Sequence, residues 1–175
     1  MIIANIDISS RIGIDEVKQI CSLCTDGCSL SLIVEALANP DKRTADNAAW
    51  LLTHMPRLTL QQLQPHLHHL IDIALTTDST TKQRLLLNVI LCLTFDEENL
   101  RSDFLDFCLN TITDTRFPPG IRSLCMKLAF AQCRLFPELL NELRNVHQIM
   151  EYDLLEPAMK AAYKNIGKKL QQPND

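Results

Sequence analysis

The chain has 175 residues, 46% of them hydrophobic and 22% charged. That is the composition of an ordinary globular domain with enough length to bury a core, and no disorder is expected outside the termini. The formal net charge of −4 is carried as −6 over residues 1–117 and +2 over residues 118–175. So mild a gradient excludes a protein built around a strongly basic or acidic field. The opening MIIANIDISSRIGIDEV lacks the basic start and unbroken apolar run of a secretory signal. No run reaches the roughly 20 apolar residues needed to span a bilayer, so a soluble, cytoplasmic protein is expected. Seven cysteines, an odd number, lie mostly inside apolar helical patterns, which suits reduced thiols better than a disulfide framework.

Residues 1–13 keep neither a helical period nor a clean alternation and are read as an N-terminal tail packed on the first helix. A capping helix is expected over 14–27, with Ile14, Val17, Ile20, Cys21 and Cys24 at helical spacing and Asp26-Gly27 as its stop. Ser29 is expected to cap a helix that buries Leu30, Ile33, Val34 and Leu37, and Asn39-Pro40-Asp41 turns the chain. Lys42 to Met55 forms the next helix. A segment from Thr59 carries Pro65 one turn in, which predicts a break before Leu67, Leu70, Ile71 and Ala74. Thr80 to Phe95 follows, apolar from Leu85 to Leu93 except at Asn88. A helix apolar on all sides must be enclosed, so this one is expected at the centre.

Asp96 to Asn99 turns the chain into an amphipathic helix marked by Leu100, Phe104, Phe107, Cys108 and Ile112. Phe117-Pro118-Pro119-Gly120 leads into a long apolar helix running to Phe136. Pro137 and Pro157 each open a further helix at its first-turn position, the first reaching Met150 and the second Leu170. Four glycines and no Asn-Gly hairpin leave no strand rhythm. The fold class is all-α, with 171–175 as a C-terminal tail.

A repeat underlies this order. Arg43, Arg84, Arg122 and Lys160 each fall near a helix start and are separated by about 40 residues, the length of a two-helix solenoid unit. LQPHLHHLIDIAL, Asp78, Lys82-Gln83-Arg84 and LLLNVILCL make one such unit. LSLIVEAL, Asn39-Pro40-Asp41, Arg43 and ADNAAWLL make another, and FLDFCLNTI, Asp114 and Gly120-Ile121-Arg122-SLCMKLA a third. With these motifs the chain resembles the HEAT/armadillo class of α-solenoids over about residues 29–170. The last unit departs by placing Lys160 where the arginine stands, as a terminal repeat would. The resemblance implies a right-handed α-α superhelix of about four helix pairs, 29–56, 59–95, 98–136 and 137–170, in a single domain with the N-terminal helix at one end. It further implies that second helices line a concave face where partners bind.

On those second helices, offsets of four, three and four residues bring together Arg43, Asn47, Trp50 and His54, then Arg84 and Asn88, then Arg122, then Lys160 and Lys164. Arginine and tryptophan are favoured interface anchors, and asparagine can bond a peptide backbone through both donor and acceptor. The expected work is therefore non-enzymatic protein binding, with another protein or peptide as partner. The competing role for the same side chains is structural, with the arginines paired to Asp41, Asp78 and Asp114 and Trp50 packed between repeats.

Some HEAT-like proteins are DNA glycosylases, and the resemblance makes duplex binding the alternative, through Arg122, Lys127, Arg134, Lys160, Lys164, Lys168 and Lys169 with Trp50 against a base. The negative net charge works against it, because duplex affinity comes largely from phosphate neutralisation. No catalytic or cofactor motif occurs, and no cofactor is expected. Cys21, Cys24 and Cys28 lack a fourth local ligand, and among His66, His68 and His69 the first two cannot share a helix face, so no metal is assigned to either group.

Overall fold

The computed structural model describes residues 1–24 and 26–171. Three of its helices begin where a short polar side chain takes a free backbone N–H group. Asp26 accepts from Ser29 N at 2.9 Å and from its hydroxyl at 2.8 Å, which opens α2, Gly27–Ala36. The Asp26-Gly27 pair thus starts the second helix, and Ser29 is the donor to its cap. The capping helix itself is α1, Ile14–Leu23. Asp41 accepts from Thr44 N at 2.8 Å and opens α3, Lys42–His54.

Pro56 precedes α4, Arg57–Gln61, and Pro65 sits in a 3-10 turn, Gln64–His66, before α5, Leu67–Thr76. The expected break falls there, because the proline ring removes a helical donor. Ser79 accepts from Lys82 N and opens α6, Thr80–Ile90. Beyond Ile90 the chain turns, with Leu93 N on Ile90 O at 3.0 Å. The expected helix to Phe95 is therefore shorter.

The chain divides into two compact units, residues 1–94 and 95–175. In the first, α2 packs on α3 and α5 on α6, and the second helices α3 and α6 lie against each other, with α1 beside α3. The tail is not featureless. Residues Ile2–Ile3 (β1) and Ile6–Asp7 (β2) form a minute antiparallel hairpin, in which Ile2 faces Asp7 and Ile3 faces Ile6. Its two turn residues, Ala4 and Asn5, have φ of 49° and 63°, the left-handed pair that a tight hairpin turn requires. Ile3, Ile8 and Ile12 are buried, so the irregular isoleucines anchor the hairpin to the helices.

In the second unit α7, Ser102–Thr113, packs on α8, Pro119–Cys133, and α9, Pro137–Gln148, packs on α10, Pro157–Leu170. Helix α8 touches all three of the others. It buries Ile121 to Met126 without a gap, and Leu128, Ala129, Gln132 and Cys133 as well. The helix enclosed on every side is thus α8. In α6, Arg84 and Asn88 are exposed at adjacent turns and give that helix one narrow face toward water. The expectation that 80–95 is wholly enclosed is corrected on this point.

Candidate functional site

The ladder separates into residues that are exposed and residues already engaged. In the first unit Arg43, His54, Arg84 and Asn88 are exposed, and Trp50 is half-buried. The Arg43 and Arg84 guanidiniums make no hydrogen bond or close ion pair among the described residues; Arg43 reaches Asp41 only as the least of the attractions on that carboxylate, and Arg84 does not pair with Asp78. Asp41 is held below the usual carboxylate range chiefly by the Thr44 hydroxyl and then its backbone N–H. Trp50 meets His54 edge to face, with ring centres 5.3 Å apart and planes at 86°. Its carbonyl accepts from the Thr53 hydroxyl at 2.7 Å. The indole N–H has no hydrogen-bond partner among the described residues.

Asn47 is committed elsewhere. Its amide nitrogen donates to Ile8 O and Ser10 O, both at 2.9 Å, and so ties the N-terminal hairpin to α3. These are the backbone bonds expected of a ladder asparagine, but the peptide they hold is the chain's own.

In the second unit Arg122 lies in the core, 4% exposed. Its Nε donates to Ile112 O at 3.0 Å, and Nη1 reaches the two Glu156 carboxylate oxygens at 3.4 and 3.3 Å. The expected partner, Asp114, is taken by Arg116, which holds that carboxyl below its ordinary value. Arginine at the start of α8 therefore closes the end of α7 and steadies the start of α10.

Lys160 donates to Asp153 O at 3.2 Å, and its ammonium stands 5.4 Å from the Tyr152 ring centre. The Lys164 ammonium stands 5.1 Å from the same ring. Tyr152 also leans on Tyr163, which stacks on His147 at 3.7 Å. The stack needs Gly167 bare, since a Cβ there would come within 3.0 Å of the His147 ring. Nothing in the sequence periods pointed to this aromatic and cationic cluster, because Tyr152 lies in a 3-10 turn, Tyr152–Leu154, between helices.

Of the other residues considered for phosphate contact, Arg134, Lys168 and Lys169 are exposed and Lys127 is half-buried. Lys169 lies 5.2 Å over the Phe130 ring. Cys21 and Cys24 are buried while Cys28 is exposed. Burial lifts the Cys21 thiol to about 11, and the Cys133 thiol to about 12. Among the described residues no group of three or more His, Cys, Asp or Glu side chains is placed to hold a metal. None of the described helices is long and apolar enough to cross a membrane.

A cleft of about 330 Å3 opens in the second unit at the turn ends of its helix pairs. Arg122 lines it together with Ile149, Met150, Glu151, Leu154 and Glu156. Ile149 and Leu154 are 73% and 76% exposed. Sequence periodicity could not single out this place, because the residues around it come from linkers.

Helix pairs that pack in order, each opening its second helix on a basic residue and repeating at about 40 residues, define an α-helical repeat protein of the kind that works by holding other proteins. The chain belongs to the HEAT repeat family: the HEAT repeat domain model matches residues 5–170. No curated protein and no solved structure gives a significant match.

Proposed function

We propose that the protein is a non-catalytic, cytoplasmic interaction module whose partner, another protein or a peptide, docks on the second helices of the first two repeats. The residues that would carry the contact are Arg43, Trp50 and His54 on α3 and Arg84 and Asn88 on α6. Trp50 carries the reading. A tryptophan is a costly side chain to leave half in water, and a buried indole N–H ordinarily finds an acceptor. Here the N–H is unpartnered among the described residues and is not enclosed by protein, and it stands on a helix face with the exposed Arg43 about two turns away.

Asn47 supports that face indirectly, by fixing the hairpin at its edge. In the last two repeats Arg122 serves the fold, and Lys160 and Lys164 offer their charge beside Tyr152. The duplex-binding alternative loses its central cation with Arg122 buried against Glu156. All seven cysteines are free, which suits a reducing compartment.

The test compares affinity capture by the wild type and by Trp50→Ala combined with Arg43→Ala. Proteins retained by the wild type should be lost from the double variant while its helical content is unchanged. An identical set on both would remove the α3 face from consideration.

A further inference from the structure

The cleft of the second unit is a separate feature from the α3 and α6 face, and it joins three properties that no structural need explains. First, it presents apolar side chains to water: Ile149 and Leu154 stand at its edge, 73% and 76% exposed. A lone exposed leucine means little, but two beside Met150 on one concave wall form a surface that gains by being covered. Second, it contains a donor with capacity to spare. The Arg122 side chain is 5% exposed. Its Nε serves Ile112 O and its Nη1 serves Glu156, while Nη2 has no partner among the described residues. That nitrogen is not enclosed by protein, and on a side chain that lines the cleft it is available to donate to a ligand oxygen. Third, its net charge is negative. Glu156 already offsets Arg122, and the exposed Glu151 adds a further carboxylate on the wall.

The charge balance decides the kind of acceptor. A carboxylate or phosphate would have to approach both Glu151 and Glu156, which disfavours it. A neutral backbone carbonyl meets no such repulsion, and a cationic side chain next to it would be attracted. We propose that this cleft binds an extended segment of a partner protein in which apolar and basic residues alternate. The apolar side chains cover Ile149, Met150 and Leu154, a backbone carbonyl accepts from Arg122, and a lysine or arginine pairs with Glu151. Alternation matters because in an extended chain successive side chains point to opposite sides. One set can then face the apolar wall while the other reaches the carboxylate.

The site needs no residue of the first unit, so its failure would leave the α3 and α6 reading intact, and the reverse holds too. The test uses the full chain and three dye-labelled synthetic hexapeptides with blocked ends: alternating Leu-Lys, alternating Leu-Glu and alternating Ser-Lys. Fluorescence anisotropy should show saturable binding of the Leu-Lys peptide alone. Leu154→Ala should weaken it at least about fivefold, the level of a true anchor. Glu151→Lys should weaken it by about fivefold and confer binding of the Leu-Glu peptide. Both substitutions are at exposed positions, so neither threatens folding. In NMR, the Arg122 Nε–H resonance should shift as the Leu-Lys peptide is titrated. Failure of the Leu-Lys peptide to bind would overturn the proposal. So would affinity indifferent to both variants, an equal affinity for the Ser-Lys peptide, or self-association that buries the cleft against a second copy.

Discussion

Arg84 and Arg122 are equivalent by sequence period and opposite in structure. Both lie in the opening turns of a repeat's second helix, at a spacing of 38 residues. Arg84 is exposed, and Arg122 is 4% exposed with its guanidinium on Ile112 O and Glu156. Their neighbours differ. Next to Arg122 the chain supplies a helix-end carbonyl from α7 and a carboxylate just ahead of α10. In the first unit the equivalent link between α5 and α6 is made by Gln83, one residue earlier, whose amide donates to Ala74 O at 2.9 Å. Once a neutral amide has satisfied the end of α5, Arg84 has nothing to stay inside for. One repeat position can therefore hold the fold together in one unit and remain available to a partner in the other.

The largest effect that would break this comparison comes from Arg122→Ala. It removes the donor to Ile112 O and leaves Glu156 without its cation. Truncating one member of a buried ion pair costs about 3–5 kcal/mol. Because the Glu156 side chain is 45% exposed, about 2–3 kcal/mol is expected here. Chemical denaturation followed by circular dichroism reads it, and Arg122→Lys should restore only part, since a lysine cannot bond both partners in the same plane. Next in size is Ser79→Ala. The hydroxyl caps α6 and also donates to Asp46 at 3.0 Å, so its loss should cost about 1 kcal/mol.

How far these roles were legible follows from which signals are local. The break was readable, since Pro65 acts within a turn of itself, whereas the caps were not: the sequence points to Ser29 where Asp26 is the acceptor, and Asp41 reads only as a turn residue. The period of about 40 residues and the helix pairs were readable because a repeated two-helix unit leaves its spacing in the sequence. Burial of α8 was not, because it depends on three other helices converging on one face. The hairpin was missed because Ala4-Asn5 lacks the glycine that marks such turns, and Asn47 betrays its bond to Ile8 and Ser10 only when residues 37 and 39 positions apart are brought together. The cleft beside Arg122 was hidden for the same reason. Its wall is a linker, and linkers carry no period.

A smaller effect sharpens the picture of the first unit at low pH. The Asp41 carboxylate, held below its ordinary value by Thr44, stabilises α3 when charged. That contribution is present above the ordinary carboxylate value and is lost as pH falls through the lowered one. Asp26, lowered chiefly by the Ser29 backbone N–H, behaves alike. Asp41→Asn keeps a capping oxygen but cannot titrate. The variant's melting temperature should therefore fall less steeply than the wild type's as pH drops below about 4, where aspartates normally protonate. Equal slopes would place the acid sensitivity elsewhere.

The smallest expected effect completes the comparison from the other side. Arg43→Ala and Arg84→Ala remove exposed guanidiniums that form no hydrogen bond or close ion pair among the described residues, so each should change stability by no more than about 0.5 kcal/mol. A near-zero change is informative only beside the Arg122 result, because all three residues occupy the same repeat position. If Arg84→Ala cost as much as Arg122→Ala, the arginine would be a structural constant of the repeat, and the α3 and α6 face would lose its claim to be kept for a partner. A small cost in stability together with a loss of captured protein would separate the two uses of one sequence position, and denaturation with capture on the same preparations measures both.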